Sequence, residues 1–217
     1  MTVAAARAPG RRVSGPRLIA ALAIVMVATG ALWWLGSSPP LWWSPPAASD
    51  PDADRRAREL EANLTAEIHR IRPADERWAV ALRDEDVNAW LAIRLPAWRD
   101  FDASIPWPPD AGLAQVRFLP GQVQVAIDRE GTIWSAVVEP AVAADRVACP
   151  PTHGGVGALP IPYGASLALD LLQGGTDAAA RGSPRTFRLG DGRTVEITDI
   201  EVREGELLLQ FVTRPRG

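Results

Sequence analysis

The most reactive side chains of this chain are one cysteine and two histidines. His153 follows Cys149 closely, in the segment Cys-Pro-Pro-Thr-His. A thiolate nucleophile needs a nearby imidazole to accept its proton, so this spacing suggests a Cys149/His153 pair. The two intervening prolines do not ensure that geometry, and no third residue that would orient the imidazole can be named. The segment also lacks the four ligands of a structural zinc site.

Other catalytic patterns are incomplete. The segment 164–168, Gly-Ala-Ser-Leu-Ala, lacks the second glycine of a hydrolase nucleophile elbow, and no histidine follows Ser166, although that fold needs its histidine last. Glu85 and Asp86 are explained by the positive first turn of a helix. Carboxylate pairs for glycoside cleavage stay open, because their separation in space is not visible in a sequence. We therefore assign no catalytic, cofactor-binding or metal-ligating residue and expect no cofactor.

The uncharged stretch from Leu18 to Leu35 organises the rest of the chain. As a helix these 18 residues would reach about 27 Å, close to the hydrocarbon thickness of a bilayer once Trp33 and Trp34 lie in the interface. We interpret the stretch as an uncleaved signal-anchor that spans the membrane once. A cleaved signal peptide, with a site near Ala48, is the alternative.

The distribution of charge along the sequence predicts the orientation of this anchor in the membrane. Four arginines and no acid precede the apolar stretch, whereas residues 36–54 contain no arginine. The positive-inside rule then places residues 1–17 in the cytoplasm and the C-terminal part outside it. Arginine supplies all 23 basic residues, which together with the abundance of alanine, proline and glycine indicates a GC-rich bacterial genome. The expected location is therefore the inner (cytoplasmic) membrane.

The part beyond the anchor is acidic. It carries 19 arginines against 26 acidic residues, a formal charge of −7. Phosphate backbones bind basic surfaces, so nucleic acid is not an expected partner. The lone cysteine excludes an internal disulfide bond.

Residues 36–50 form a Pro/Trp-rich linker, which we expect to be extended because of its paired prolines. Trp42 and Trp43 lie either at the membrane surface or on the domain that follows. Residues 51–217 then form one α+β domain with a curved, mainly antiparallel sheet and about three helices. The pattern predicts a helix capped by Asp50 or Ser49 and ended by Pro73, a strand over 78–82, a helix capped by Asp84 and ended by Pro96, hairpins over 113–149, a helix over 165–172 and a final meander over 186–213.

The apolar spacing predicts which face of each of these two helices is buried. Leu60, Leu64, Ile68 and Ile71 form an apolar stripe on the first domain helix. On the second, Val87, Trp90, Leu91 and Leu95 are predicted to pack on the sheet, and Asn88 is predicted to bond a neighbouring backbone group.

Three local patterns stand out: the segment 78–91, with its Asp-x-x-x-Asn-x-x-Leu helix start at Asp84, the Pro-rich approach 157–162 to a leucine-rich helix, and the terminal meander from Asp191 to Phe211. Together they resemble YpmS-like bacterial envelope proteins. The resemblance implies a single N-terminal anchor and a domain outside the cytoplasm, and it transfers no catalytic residues. Curved sheets wrapped on a helix often carry lipid-like ligands, which here is an analogy of fold.

These observations favour a non-enzymatic, membrane-tethered domain that binds an apolar, lipid-like envelope ligand or an envelope protein. The lipid bilayer, contacted through Leu18 to Leu35, is the expected partner of the anchor. The alternative is a hydrolase or transferase of envelope polymer that uses an unrecognised carboxylate site or Cys149 and His153.

The predicted orientation can be tested with reporters fused after Gly217. An alkaline phosphatase fusion should be active and a fluorescent-protein fusion dark, because the C-terminus is expected outside the cytoplasm. A silent phosphatase together with a fluorescent partner fusion would show the opposite orientation.

Overall fold

The chain is a mixed α+β protein, as predicted. The computed structural model describes residues 15–102, 107–108, 110–161 and 182–214, and in the first helix it describes side chains from Leu22 onward. This part of the chain contains three helices: α1 (Gly15–Ser37), α2 (Pro51–His69) and α3 (Asp84–Phe101). The helix predicted over 165–172 and the segment around Ser166 lie outside the described residues.

The strands form three sheets rather than the single curved sheet that was expected, and every pairing among the described residues is antiparallel. The four-stranded sheet has the order β1-β12-β11-β10 and consists of β1 (Arg77–Arg83), β10 (Thr186–Arg188), β11 (Thr194–Arg203) and β12 (Glu206–Arg214). The five-stranded sheet has the order β2-β3-β4-β7-β8 and consists of β2 (Ala111–Leu119), β3 (Gln122–Arg129), β4 (Thr132–Val138), β7 (Pro151–Val156) and β8 (Leu159–Ile161). The three-stranded sheet, ordered β5-β6-β9, consists of β5 (Ala141–Val142), β6 (Arg146–Ala148) and β9 (Ser183–Pro184).

The predicted hairpin turns are confirmed. Gly121, Gly131 and Gly205 lie between successive strands with φ angles of 76°, 81° and 73°. Residues with a Cβ rarely adopt this left-handed conformation, so the glycines determine where each hairpin reverses.

Helix α2 begins as predicted but packs differently. The Asp50 carboxylate accepts a hydrogen bond from the Asp52 N–H at 2.9 Å, which caps the helix. The buried contact with α3 is made by Ala53 and Ala57, because these small side chains allow the helices to approach closely. The predicted leucine and isoleucine stripe is only half-buried, and at its end Ile71 is 88% exposed.

Helix α3 departs from its prediction at both ends and on one face. Asp84 is its first residue rather than its cap, and the helix continues through Pro96 to Phe101. Trp90 packs against α2 instead of the sheet, and its ring lies 6.3 Å from that of Trp98 on the far side of the proline. This contact supports the turn that the proline would otherwise weaken.

The two larger sheets are joined where two hairpins meet. The Gly121 N–H donates to the Val202 carbonyl at 2.9 Å, and the Gly205 N–H donates to the Phe118 carbonyl at 3.0 Å. Asp84 connects the same two turns, since its own N–H donates to the Gly205 carbonyl at 3.1 Å and its carboxylate accepts from the Phe118 N–H at 3.4 Å. We call this arrangement the hairpin junction. It explains why an aspartate stands at the start of α3.

The main core fills the space between α3 and the five-stranded sheet, next to the hairpin junction. Phe118, Val123 and Ile127 lie on one face of β2 and β3 and are buried. Val87 and Leu91 of α3 pack against them, as predicted.

The Pro/Trp-rich segment 36–50 contacts the domain. Gln115 in β2 joins the two, because its Nε2 donates to the Trp42 carbonyl at 3.1 Å and its Oε1 accepts from the Ser44 N–H at 2.7 Å. The Ala158 N–H, in the turn between β7 and β8, donates to the Leu35 carbonyl of α1 at 2.9 Å. Trp42 therefore takes the second of its two predicted placements, on the domain.

Helix α1 coincides with the predicted apolar helix, and its described side chains are largely exposed. Trp33 and Trp34, near its C-terminal end, are 79% and 67% exposed. Within the residues whose side chains are described, no helix is long and apolar enough to cross a membrane. The membrane-spanning role of Leu18 to Leu35 stays a prediction.

Asn88 offers a direct test of how α3 is held. Its Nδ2 donates to the Val116 carbonyl at 2.8 Å, and its Oδ1 accepts from the Val116 N–H at 2.7 Å, so its side chain pairs with β2 as a neighbouring strand would. Asn88→Ala should lower the free energy of unfolding by roughly 2–4 kcal/mol, because both backbone groups of Val116 lose this partner.

Denaturant melts would measure the loss. Asn63→Ala, on the exposed face of α2, is the matched control and should change stability by less than about 0.5 kcal/mol. Equal effects of the two substitutions would contradict this role of Asn88.

Candidate functional site

An apolar cleft opens beside the hairpin junction, between the four-stranded and five-stranded sheets. Its volume is about 460 Å³, and sites for small molecules typically enclose ~300–1,000 Å³. We call it the inter-sheet cleft. Its lining is almost entirely aliphatic and consists of Val123, Val125, Val138, Pro140, Val147, Cys149, Ser183, Ile197, Ile200, Leu207 and Leu209.

Alternation along the strands places these side chains in the cleft. Val123 and Val125 share one face of β3, and Leu207 and Leu209 share one face of β12. On β11 the alternation is broken by a bulge, since Ile197 pairs with Phe211 and Ile200 pairs with Leu209. The extra residue lets both isoleucines face the cleft although an odd number of positions separates them.

The three helices of the described ranges leave this side of the sheets uncovered. Besides its contact with α2, helix α3 packs mainly on β2, with a smaller contact to β1, on the far side of the hairpin junction. The three-stranded sheet borders the cleft instead, through Val147 of β6, the adjoining Cys149 and Ser183 of β9.

Most of the backbone around the cleft is already paired. β3, β4 and β12 are interior strands with a neighbour on each side, so their backbone donors and acceptors are not free to pair with an extended peptide. β11 pairs with β10 only over residues 194–196, and β9 is an edge strand of the three-stranded sheet. Among the described lining side chains only Cys149 and Ser183 carry a polar atom, and none is charged. This lining suits an apolar ligand.

The structure does not assemble the Cys149/His153 pair. Cys149 lines the inter-sheet cleft, and burial raises the pKa of its thiol, which opposes formation of the thiolate. His153 is exposed and lines a different cavity, and its Nδ1 lies 3.1 Å from the Thr152 hydroxyl oxygen. The imidazole is therefore not placed as a base for the thiol.

Acidic residues gather in a polar cavity of about 320 Å³ between α2 and β1. Glu59 is paired with Arg55 at 3.2 Å, and Glu67 is paired with Arg70 at 2.9 Å and also with Arg72. Burial, with a smaller contribution from the charge of Glu85, raises the pKa of the Asp86 carboxyl. Because two of the carboxylates are held in ion pairs, we assign no acid/base pair to this cavity.

Metal binding has no support in the described ranges, where no group of three or more His, Cys, Asp or Glu side chains is arranged to hold an ion. Comparisons with protein-family models, curated proteins and solved structures found no match for this chain. The functional argument consequently depends on the geometry of the cleft.

Sequence reasoning found the strands of the cleft but not the cleft itself. The period-two pattern of Val123 and Val125 was visible, whereas residues 207–209 are three consecutive leucines that show no alternation. The bulge before Ile200 and the approach of β3 to β12 depend on contacts distant in sequence.

Cys149 reports on the cleft because it is the only cysteine. At pH 7 the folded chain should react with N-ethylmaleimide about tenfold or more slowly than the same chain in denaturant, since burial both shields the thiol and raises its pKa. The pH at which the folded thiol becomes reactive should lie above that of the unfolded thiol.

The same shift has a consequence for stability. Because the pKa of the Cys149 thiol is raised in the folded chain, the thiol of the unfolded chain loses its proton at a lower pH. The contribution of Cys149 to the free energy of unfolding is therefore fully present below the unfolded pKa and is lost as pH rises through the folded pKa. Cys149→Ser, which does not titrate in this range, is the control. Indistinguishable labelling rates before and after unfolding would contradict the half-buried position of Cys149 in the cleft.

Proposed function

We propose that the protein is a membrane-anchored, extracytoplasmic domain that binds an apolar, lipid-like ligand of the cell envelope in the inter-sheet cleft. The observation that carries this proposal is the aliphatic cleft of about 460 Å³ that the helices leave open. Its role is binding rather than catalysis.

The lining favours an acyl chain over other ligands. Each methylene group moved from water into such a lining contributes about 0.8 kcal/mol. A peptide backbone or a charged group would lose its hydration there without gaining partners, because the lining side chains are aliphatic apart from Cys149 and Ser183.

Two features of α1 support the anchor. Its described apolar side chains, from Leu22 to Trp34, are exposed on the isolated chain, and an apolar surface of this extent needs a membrane or a partner to cover it. The paired tryptophans near its end match the interfacial layer of a bilayer. The arginines that precede the helix in sequence favour a cytoplasmic N-terminus, which places the cleft outside the cytoplasm.

The cleft lies at a distance from the end of α1. Near the end of α1, the Ile133 carbonyl at the start of β4 accepts a hydrogen bond from the Gly157 N–H at 2.7 Å. Val138, which lines the cleft, lies at the other end of β4, about 17 Å away at ~3.3 Å per residue. A lipid chain in the cleft would therefore be held apart from the anchor, where it could be presented to another envelope component.

Photo-crosslinking can test the anchor and the cleft separately. The full chain, reconstituted in phosphatidylcholine nanodiscs, is irradiated with a fatty acid that carries a diazirine on its acyl chain, and the crosslinked peptides are mapped by mass spectrometry. We expect crosslinks on α1, from the bilayer, and on β3 and β12, from the cleft.

A matched pair of substitutions sharpens this test. Leu209→Phe fills the cleft and should reduce crosslinks on β3 and β12 by about tenfold, since overpacking typically costs ~1–3 kcal/mol. Leu208→Phe, on the opposite face of the same strand, should leave them unchanged. Crosslinks confined to α1 would refute ligand binding in the cleft, and their absence from α1 would refute the anchor.

A further inference from the structure

A second cavity lies on the opposite face of the five-stranded sheet. Its volume is about 390 Å³, and it is enclosed between that face and the Pro/Trp-rich segment. We call it the anchor-side pocket. Pro40, Leu41 and Trp42 form one wall, and the sheet contributes polar side chains at Gln124, Ser135 and His153.

This pocket lies at the end of α1. Gly157 and Ala158 line it, and the Ala158 N–H donates to the Leu35 carbonyl, one residue beyond Trp34. Gly157 has a φ of 57°, and a Cβ there would lie within 2.5 Å of the Ser38 carbonyl oxygen, so only glycine permits this close approach. A helix rises about 1.5 Å per residue, which places the pocket level with the tryptophans that mark the membrane interface.

One polar atom in the pocket lacks a partner. The Oε1 atom of Gln124 is buried, and no hydrogen-bond donor reaches it within the described part of the chain. Gln115 lies on the same face of the sheet, and both polar atoms of its amide are hydrogen-bonded, to the Trp42 carbonyl and to the Ser44 N–H. A buried carbonyl oxygen without a hydrogen bond typically lowers the stability of a protein by ~1–3 kcal/mol. A water molecule or a ligand that donates to the Gln124 amide oxygen would remove this cost.

The lining also defines the charge of the ligand. Its described residues include no arginine, aspartate or glutamate, so they offer a phosphate or an ammonium group no fixed opposite charge. The Ser135 hydroxyl and the His153 ring add hydrogen-bonding capacity. Leu41, fully exposed on the same wall, and Leu159 on the other side provide apolar surface toward the bilayer.

We infer that the anchor-side pocket binds the uncharged, hydroxyl-bearing headgroup of a membrane lipid, and that the Gln124 amide rotates on binding so that its Oε1 atom, covered in the unliganded chain, accepts a hydrogen bond from a lipid hydroxyl. This inference rests on the proposed membrane anchor and is independent of ligand binding in the inter-sheet cleft. The acyl chains stay in the bilayer beside α1, and the headgroup enters between Leu41 and the sheet.

Native mass spectrometry of the full chain, released from detergent micelles, tests the inference. The probes are monoglucosyl diacylglycerol, whose headgroup is uncharged and rich in hydroxyls, phosphatidylcholine, whose headgroup has no hydrogen-bond donor, and anionic phosphatidylglycerol. The wild-type chain should retain the glycolipid about tenfold more than either phospholipid.

The variants identify the site. Gln124→Leu should remove most of this preference, and Ser135→Ala should reduce it. Gln122→Leu is the control, because Gln122 lies on the same strand and is half-buried like Gln124, but its amide already donates to Glu139 at 3.1 Å and it does not line the pocket. Thermal melts check that each variant is folded, and Ser135→Ala keeps the test valid if Gln124→Leu fails to fold.

Two results would overturn the inference: equal retention of the three lipids, or an undiminished preference in folded Gln124→Leu or Ser135→Ala. Carbonate extraction of membranes separates this failure from that of the anchor. A chain that resists extraction but shows no lipid preference disproves the pocket alone, whereas a chain released by carbonate disproves the anchor and the pocket with it.

Discussion

The hairpin junction is the constraint on which the rest of the domain depends. Two glycine N–H groups, at Gly121 and Gly205, each donate to a carbonyl of the opposite sheet, and Asp84 contacts both turns at the start of α3. The sheets are therefore in contact at one end. α3 fills the space on the side of β1 and β2. On the side of β3 and β11 the sheets separate, and no helix of the described part of the chain lies between them. The inter-sheet cleft is this uncovered space.

The five-stranded sheet uses both of its faces. Its apolar face supplies the core and one wall of the inter-sheet cleft, while its more polar face carries Gln115 and Gln124 and is covered by the Pro/Trp-rich segment. The segment is therefore part of the domain's structure. Because the Ala158 N–H also binds the end of α1, the sheet is fixed directly to the helix that we propose as its anchor. The two cavities consequently lie on opposite faces of this sheet.

Local sequence signals predicted the elements well. The Asp50 cap, the apolar helix that became α1 and the turns at Gly121, Gly131 and Gly205 each depend on a few neighbouring residues, and all are present in the structure. The α+β class and the antiparallel pairing followed from the order of these elements.

The errors came from contacts between residues far apart in the chain. Asp84 has the spacing of a helix cap, but its carboxylate binds Phe118. Trp90 matched the sheet-facing stripe of α3, but the alanines of α2 leave room for it on the other side. The bulge before Ile200 and the unpaired oxygen of Gln124 also have no local signal, and for this reason neither cavity could be predicted from the sequence.

The most direct test of the account is an experimental structure of the full chain, purified from its native membrane in a mild detergent. The account predicts elongated density for an apolar molecule between β3 and β12, in contact with Val125 and Leu209. If the chain's own residues 162–181 fill that space instead, the cleft is part of the core and the proposed binding function is wrong.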